Sequence, residues 1–160
     1  MFTLTFGVQE NFSTEHFYRL QTNFNHEQER INKKFTQLNE LGLKVFKKSL
    51  TLDEIKAQLG PKCACIVLID ANKLNGIDTD SLETVQNMQI NCFSNLIAMF
   101  KSKLGYAGHF IVLIGFDNVR QLIFYRNPST SKRLSYTGEE NFELARKSYG
   151  ADEDIIFLYL

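Results

Sequence analysis

The stretch GYAGHFIVLIGFDNVRQLIFYRNP, residues 105–128, decides the fold, because it holds two apolar runs separated by a short polar turn. The first run, residues 110–116, is too short to span a membrane and too continuous for a half-exposed strand. The second run is residues 122–125, and Asp117-Asn118 between them is typical of a turn. We expect a hairpin of two buried strands, ended by Asn127-Pro128 because proline cannot donate a ladder hydrogen bond.

Two polar residues flank this hairpin. His109 opens the first strand and Asn127 ends the second, so antiparallel pairing brings both side chains to the same edge of the sheet. An imidazole oriented by an amide is the second half of a Cys-His-Asn nucleophilic site, in which the ring takes up the thiol proton. The same spacing also fits a histidine that only caps a strand and an asparagine that only makes a turn.

Length and composition indicate one globular domain, residues 1–160, of which 44% are hydrophobic. The 18 basic residues balance 18 acidic ones, so the charge pattern typical of nucleic-acid or anionic-membrane binding is missing, and we expect neither partner. The three cysteines lack the spacing of a disulfide framework, and the N-terminal residues do not resemble a leader. We therefore expect a soluble protein of a reducing compartment, cytoplasmic or nuclear.

Apolar periodicity predicts the best-defined helices. Ile31, Phe35, Leu38 and Leu41 lie on one face of a helix that follows Asn25 and ends at Gly42. A second helix begins with the capping box Thr51-Leu52-Asp53-Glu54 and ends at Gly60-Pro61, with Ile55 and Leu59 inward. A third follows the capping box Thr137-Gly138-Glu139-Glu140 and points Phe142, Ala145 and Tyr149 inward.

The remaining segments complete an α+β domain. KCACIVLID, residues 62–70, is another continuous apolar run and belongs in the same sheet as the hairpin. The other expected elements are strands at 3–8, 43–50 and 155–160, a short helix capped by Ser13 or Thr14, a helix from Asp80 to Met99, and loops at 71–79 and 129–136.

The cysteines are interpreted as core residues. Cys63 and Cys65 lie on one face of an apolar strand, where a metal or an exchangeable disulfide could use them. No Cys-x-x-Cys or His-x-x-x-His spacing completes a ligand set, and Cys92 lies on an apolar helix stripe. A substitute nucleophile among the three is the less favoured alternative.

The charged clusters suggest no cofactor. The acidic sets at 78–80 and 152–154 are interpreted as a cap and a turn, although the second could hold Mg²⁺ weakly. Arg126, Lys132 and Arg133 form a basic loop near Asn127 that could meet a phosphate or a peptide carboxylate, but a solvated loop explains them more simply. No Gly-x-x-x-x-Gly-Lys-Ser/Thr phosphate loop occurs, so Mg²⁺ or Mn²⁺ would enter only with cyclase chemistry.

Four stretches together resemble the guanylyl-cyclase-domain-containing family of plants and animals: FYRLQTNFNHEQERINKKF, YAGHFIVLIGFD, LIFYRNPS and NFELARKSYGADEDIIFLYL. Residues 71–104 do not share this resemblance. The family's fold is similar to the papain superfamily, closest to the bacteriocin-processing cysteine peptidases, where a histidine opens a core strand and an asparagine or aspartate ends the next. The resemblance implies catalytic roles for His109 and Asn127.

The resemblance also implies a missing part. Members of the family normally begin with a Trp-Asp-Cys-Gly motif on a first helix, which supplies the nucleophile, and this chain starts downstream of it and has no tryptophan. We therefore expect an N-terminally truncated papain-like domain, catalytically incomplete, with a peptide-like or nucleotide ligand and an apolar sheet face without its cover. The alternatives are a guanylyl cyclase that converts GTP to cyclic GMP and a non-catalytic interaction module.

Overall fold

A computed structural model describes residues 2–4, 24–80 and 106–159 of the chain. Its strands are β1 (Phe2–Leu4), β2 (Lys44–Phe46), β3 (Cys63–Asp70), β4 (Ile77–Thr79), β5 (Gly108–Asp117), β6 (Leu122–Arg126), β7 (Leu134–Gly138) and β8 (Ile155–Tyr159). Its helices are α1 (Phe24–Glu40), α2 (Leu52–Gln58), the single turn α3 (Ala71–Leu74) and α4 (Glu139–Arg146). The expected helices after Ser13 or Thr14 and from Asp80 to Met99 lie outside the described residues, as does Cys92.

All eight strands join one sheet in the order β2-β1-β8-β3-β5-β6-β7-β4. The edge pair β1 and β2 is parallel, and the other pairings are antiparallel. The α+β prediction is confirmed, and so is the placement of residues 62–70 beside the hairpin, because β3 pairs with β5. The strand expected within residues 43–50 is β2, at the sheet edge as predicted.

The hairpin of β5 and β6 turns through residues 118–121. The Asp117 carboxylate accepts the backbone N–H groups of Val119 and Arg120, at 2.9 and 3.0 Å, and the Arg120 guanidinium lies 2.9 Å away. Hydrogen bonds from Arg120 and Val119 hold the pKa of this carboxyl below its usual value. The aspartate at the end of the first apolar run therefore forms the turn that its position predicts.

The core lies on one face of the sheet. Alternate residues of β3 and β5 are buried there against Phe142 and Ala145 of α4 and Ile55 of α2; they are Cys65, Val67, Ile69, Ile111 and Leu113. On the other face of β5, Phe110 is 51% exposed and Ile114 46% exposed. The prediction of a fully buried first strand is therefore wrong, because the core packs on only one side of it.

The end of α1 and the start of α2 form as their local sequences predict. Gly42 adopts a φ of 78° after α1, a conformation that favours glycine, so the predicted stop is confirmed. At α2 the Glu54 N–H donates to the Thr51 hydroxyl at 3.2 Å, and the Glu54 carboxylate accepts the Thr51 N–H at 2.8 Å. This is the predicted capping box.

Four expectations for residues 71–149 are wrong. Residues 71–79 contain α3 and β4, and residues 129–136 include the first part of β7, so neither is simply a loop. The box at Thr137 does not form, since that hydroxyl donates instead to the Leu74 carbonyl at 2.6 Å and Gly138 is the N-cap. Tyr149 is 45% exposed, because α4 ends at Arg146 before that side chain can reach the core.

A buried arginine joins α4 to the segments that flank it. The Arg146 guanidinium is fully buried and donates to the Leu50 carbonyl at 2.7 Å, to Glu153 at 2.9 Å and to Glu143 at 2.9 Å. Glu153 also accepts the Ser49 hydroxyl at 2.6 Å. These bonds hold the residues just before α2 and the turn before β8 against the C-terminal end of α4.

No helix in the part of the chain that the structure describes is both long and apolar enough to cross a bilayer.

Candidate functional site

The two residues singled out at the hairpin ends are in contact. His109 is the second residue of β5, Asn127 follows the last residue of β6, and both are partly buried. The imidazole Nε2 lies 2.9 Å from Asn127 Oδ1, a hydrogen-bond distance. The predicted juxtaposition of the two side chains is therefore confirmed, while their catalytic role stays a prediction.

A neighbouring backbone group fixes the orientation of this hydrogen bond. The Ser129 N–H donates to the same Asn127 Oδ1 at 2.9 Å, which requires an oxygen at that position of the amide. Because an amide oxygen only accepts, Nε2 of His109 must carry the hydrogen. In the neutral ring, the nitrogen able to take up a proton is then Nδ1.

Asn127 is held by the turn that follows β6. Its carbonyl accepts the Thr130 N–H at 3.2 Å, while its side chain accepts the Ser129 N–H and so reproduces a backbone turn. The strand β6 ends at Arg126, and Pro128, two residues further on, has no N–H to donate to the ladder. The Asn-Pro sequence thus makes a turn and orients the imidazole at once, so the two interpretations offered for it are compatible.

The segment leading into His109 is tightly fixed. Asp70, buried at the end of β3, accepts the Ala107 N–H at 3.2 Å and the Asn72 N–H at 3.1 Å. Tyr106 donates its hydroxyl to the Gly150 carbonyl at 2.6 Å. Burial raises the pKa of Tyr106 to about 12, with Asp152, Asp70 and Asp154 adding to the effect, so this phenol stays protonated.

Two glycines make room for the Tyr106 ring. A Cβ on Gly108 would lie 2.6 Å from the Tyr106 hydroxyl, and one on Gly150 would lie 2.8 Å from the ring. Gly150 also has a φ of 82°. Neither contact was predicted from the sequence, because Gly150 lies 44 positions from Tyr106 along the chain.

The described cysteines lie away from the imidazole. Ile69 pairs with His109 and Cys65 with Leu113, four positions along the strands, which is about 13 Å at the rise of an antiparallel strand. Burial raises the pKa of the Cys65 thiol well above its usual value, and burial also raises that of Cys63. Both are protonated at neutral pH, and Cys65 is fully buried, as the interpretation of a core cysteine requires.

The acidic clusters are engaged within the protein. Asp78 accepts the Ser135 hydroxyl at 2.5 Å, Asp80 pairs with Lys132 at 2.6 Å, and Glu153 binds Arg146. Within the described ranges, no group of three or more histidine, cysteine, aspartate or glutamate side chains could hold a metal ion.

A polar row runs across the sheet next to Asn127, and the sequence did not reveal it. Tyr125 pairs with Ser135, which pairs with Asp78, so the three side chains share a face of β6, β7 and β4. Burial raises the pKa of Tyr125, and Asp78 raises it further, while a hydrogen bond with Ser135 opposes both. Gly76 gives the phenol its space, since a Cβ there would lie 1.7 Å from the Tyr125 oxygen.

Comparison with known proteins identifies the family of this chain. The model of the family described as guanylylate cyclase matches residues 1–158, so the chain belongs to that family. Guanylyl cyclase 1 of Arabidopsis thaliana is 29% identical over 160 residues, which are 99% of this chain and 53% of that relative. The chain thus spans about half the length of the relative, and no solved structure matches it significantly.

Proposed function

We propose that His109 and Asn127 are the base half of a papain-like cleft. The single observation that carries the proposal is the 2.9 Å contact of Nε2 with Asn127 Oδ1, an oxygen held in place by the Ser129 N–H. In this arrangement Nδ1 accepts a proton from a thiol or a hydroxyl, and Asn127 stabilises the imidazolium through the Nε2–H. The lone pair of Nδ1 would also accept a hydrogen bond from an O–H, N–H or S–H group of a ligand.

The chain itself is proposed to bind rather than to turn over its ligand. Cys65 lies four positions along β3 from the residue that pairs with His109, about 13 Å of strand, and burial keeps its thiol protonated. A nucleophile must therefore come from the ligand or from another part of the protein. A peptide-like ligand suits this edge of the sheet, since Arg126 and Arg133 are exposed near Asn127 and suit a carboxylate.

A thiol-reactive probe tests this proposal. The whole chain is labelled with a fluorescent iodoacetamide, and the modified cysteines are identified by mass spectrometry in the wild type and in His109→Ala. We expect slow labelling at a rate that does not change in the variant, because no thiol is activated by the imidazole. His26→Ala serves as the matched control for loss of a histidine.

An activated thiol would give the opposite labelling pattern. Fast labelling of Cys63, Cys65 or Cys92 that disappears in His109→Ala but persists in His26→Ala would show an activated thiol, and the proposal of an incomplete cleft would be withdrawn. Circular dichroism of both variants establishes that they remain folded.

The second candidate is a guanylyl cyclase, which the family and the name of the 29% identical relative favour. In that reaction a ribose hydroxyl oxygen bonds to the α-phosphorus, the bond from that phosphorus to the bridging oxygen breaks, and pyrophosphate leaves. Nδ1 of His109 would accept the proton of the attacking hydroxyl. Incubation of the chain with GTP and Mg²⁺ or Mn²⁺, with mass detection of cyclic GMP, tests it. Product that is lost in both His109→Ala and Asn127→Ala supports the candidate; no product above that of a denatured sample removes it.

A further inference from the structure

A cavity of about 490 Å³ lies between α3 and α4, within the size range of small-molecule sites. Its lining comes from the end of α3, the exposed side of α4 and the residues just after α4. The lining residues are Lys73, Asn75, Asn141, Glu143, Leu144, Lys147, Ser148 and Tyr149. His109 and Asn127 are not among them, so this cavity is separate from the site described above.

Part of the cavity wall is apolar without belonging to the core. Leu144 is 57% exposed and Tyr149 is 45% exposed, although the inward face of α4 is formed by Phe142 and Ala145. A large aliphatic and an aromatic side chain facing water together on one rim expose apolar surface that a ligand can cover. Their position indicates a ligand with a flat or apolar body.

The polar part of the wall favours a negative group. Lys73 and Lys147 contribute two ammonium groups to the lining, and each pairs with one carboxylate, Lys73 with Asp70 at 3.7 Å and Lys147 with Glu143 at 2.7 Å. Because an ammonium group has three N–H donors, each lysine keeps donors for an anionic ligand. The Glu143 carboxylate is already bound, at 2.9 Å by Arg146 and at 2.7 Å by Lys147. Burial raises its pKa, but these cations outweigh burial and lower the pKa overall, so Glu143 is charged and engaged.

Two amides complete the wall. Asn75 follows α3 with a φ of 45°, a conformation that costs free energy for a residue other than glycine, and Asn141 lies on the facing helix. Their N–H₂ groups add hydrogen-bond donors to the two ammonium groups. Each amide also brings one acceptor oxygen, but the N–H groups of the two ammonium groups and the two amides outnumber these oxygens.

We propose that this cavity binds a small organic anion that has a flat apolar body, such as an aryl carboxylate or an aryl sulfonate. The acidic group lies between Lys73 and Lys147, and the ring packs on Leu144 and Tyr149. The proposal goes beyond the proposed function and does not depend on it.

The probe is 8-anilinonaphthalene-1-sulfonate, which has this chemistry and fluoresces when bound. We expect one saturable site in the whole chain, and an affinity about tenfold lower in Lys73→Glu/Lys147→Glu, because both attractive charges become repulsive. The matched control is Lys34→Glu/Lys62→Glu, which makes the same charge change at exposed positions away from the cavity and leaves the affinity as in the wild type.

A second measurement locates the bound probe. In ¹H–¹⁵N spectra we expect shifts of the Asn75 and Asn141 side-chain amides and of the Leu144 backbone amide. An affinity that is the same in the cavity variant and in its control would overturn the proposal, and so would shifts confined to Phe110 and Ile114 on the open sheet face. Lys73→Gln/Lys147→Gln, which only removes the charges, gives the test again if the reversed variant does not fold.

Discussion

A single acceptor atom decides what His109 can do. Asn127 Oδ1 receives both the Nε2–H of the imidazole and the Ser129 N–H, so the hydrogen on the ring is assigned by the backbone of the next turn. The sequence predicted that the two side chains would meet, because strand ends on one hairpin edge are neighbours. It could not predict the tautomer, which depends on how a three-residue turn folds.

Removal of the Asn127 amide should expose the Nε2–H of His109 to exchange with water. In the wild type we expect an Nε2–H proton that exchanges slowly enough to be seen by NMR, because the bond to Asn127 shields it from water. In Asn127→Ala this signal should vanish, while Asn118→Ala, which alters another asparagine in a turn, should keep it. A visible proton on Nδ1 of the wild type, or an unchanged signal in Asn127→Ala, would contradict the assignment.

Gly76 is required by the phenol beside it. A Cβ would lie 1.7 Å from the oxygen and 2.9 Å from the ring carbon of Tyr125, whose side chain is buried. We expect Gly76→Ala to lower the free energy of unfolding by about 1–3 kcal/mol through overpacking. The measurement is urea denaturation.

The controls for this substitution use the same chain. Gly60→Ala meets no atom within 4 Å and should change stability by less than about 0.5 kcal/mol. Adding Tyr125→Phe to Gly76→Ala removes the oxygen and should restore part of the loss. A Gly76→Ala variant as stable as Gly60→Ala would show that the phenol is not held where the structure places it.

At the scale of elements, the sequence predicted those helices and strands that depend on residues close together in the chain. The capping box at Thr51 and the helix stop at Gly42 formed as expected, and the apolar runs of β3 and β5 pair. β7 was not predicted, because Leu134 to Thr137 mixes polar and apolar residues, and all four are buried between β6 and β4. Ser135 and Thr137 tolerate burial only because Asp78 and Leu74 accept their hydroxyls, and those partners come from distant parts of the chain.

The buried Arg146 should be more sensitive to substitution than the exposed Lys147 beside it. Arg146→Met leaves Glu153 partly buried without its cation and leaves Glu143 with Lys147 alone, so we expect a loss of about 3 kcal/mol in the free energy of unfolding. Lys147→Met also removes a partner of Glu143, but at an exposed position, and should cost less than about 1 kcal/mol. Chemical denaturation of the two variants compares them; equal losses would contradict the role given to Arg146.

The same cluster predicts a dependence on pH. Burial raises the pKa of Glu143, but hydrogen bonds from Arg146 and Lys147 prevail and lower it from the ordinary value of 4.5. A depressed carboxyl pKa stabilises the folded state above the unfolded pKa, and this stability is lost as pH falls through the folded pKa. Urea denaturation from neutral to acid pH should show this loss, and Arg146→Met should make the acid limb shallower. An acid limb of the same slope in both proteins would contradict it.

At the scale of the whole molecule, the sheet has two unlike faces. Ile111 is fully buried and Ile114, on the same strand, is 46% exposed, so Ile111→Ala should cost about 2–5 kcal/mol and Ile114→Ala less than about 1 kcal/mol. Thermal and urea denaturation measure this difference. Similar losses at the two positions would show that the face of Ile114 is covered in solution, as an interaction module would require of its partner or of a second copy.

The Tyr106 side chain packs against Gly108, which precedes His109, and against Gly150 in the turn before the last strand. Its hydroxyl donates to the Gly150 carbonyl. The placement of the imidazole is consequently not a property of its own hairpin alone. A change in the turn at Gly150 would displace the Tyr106 ring, and through it Gly108 and His109. The turn before the last strand therefore helps to position the histidine.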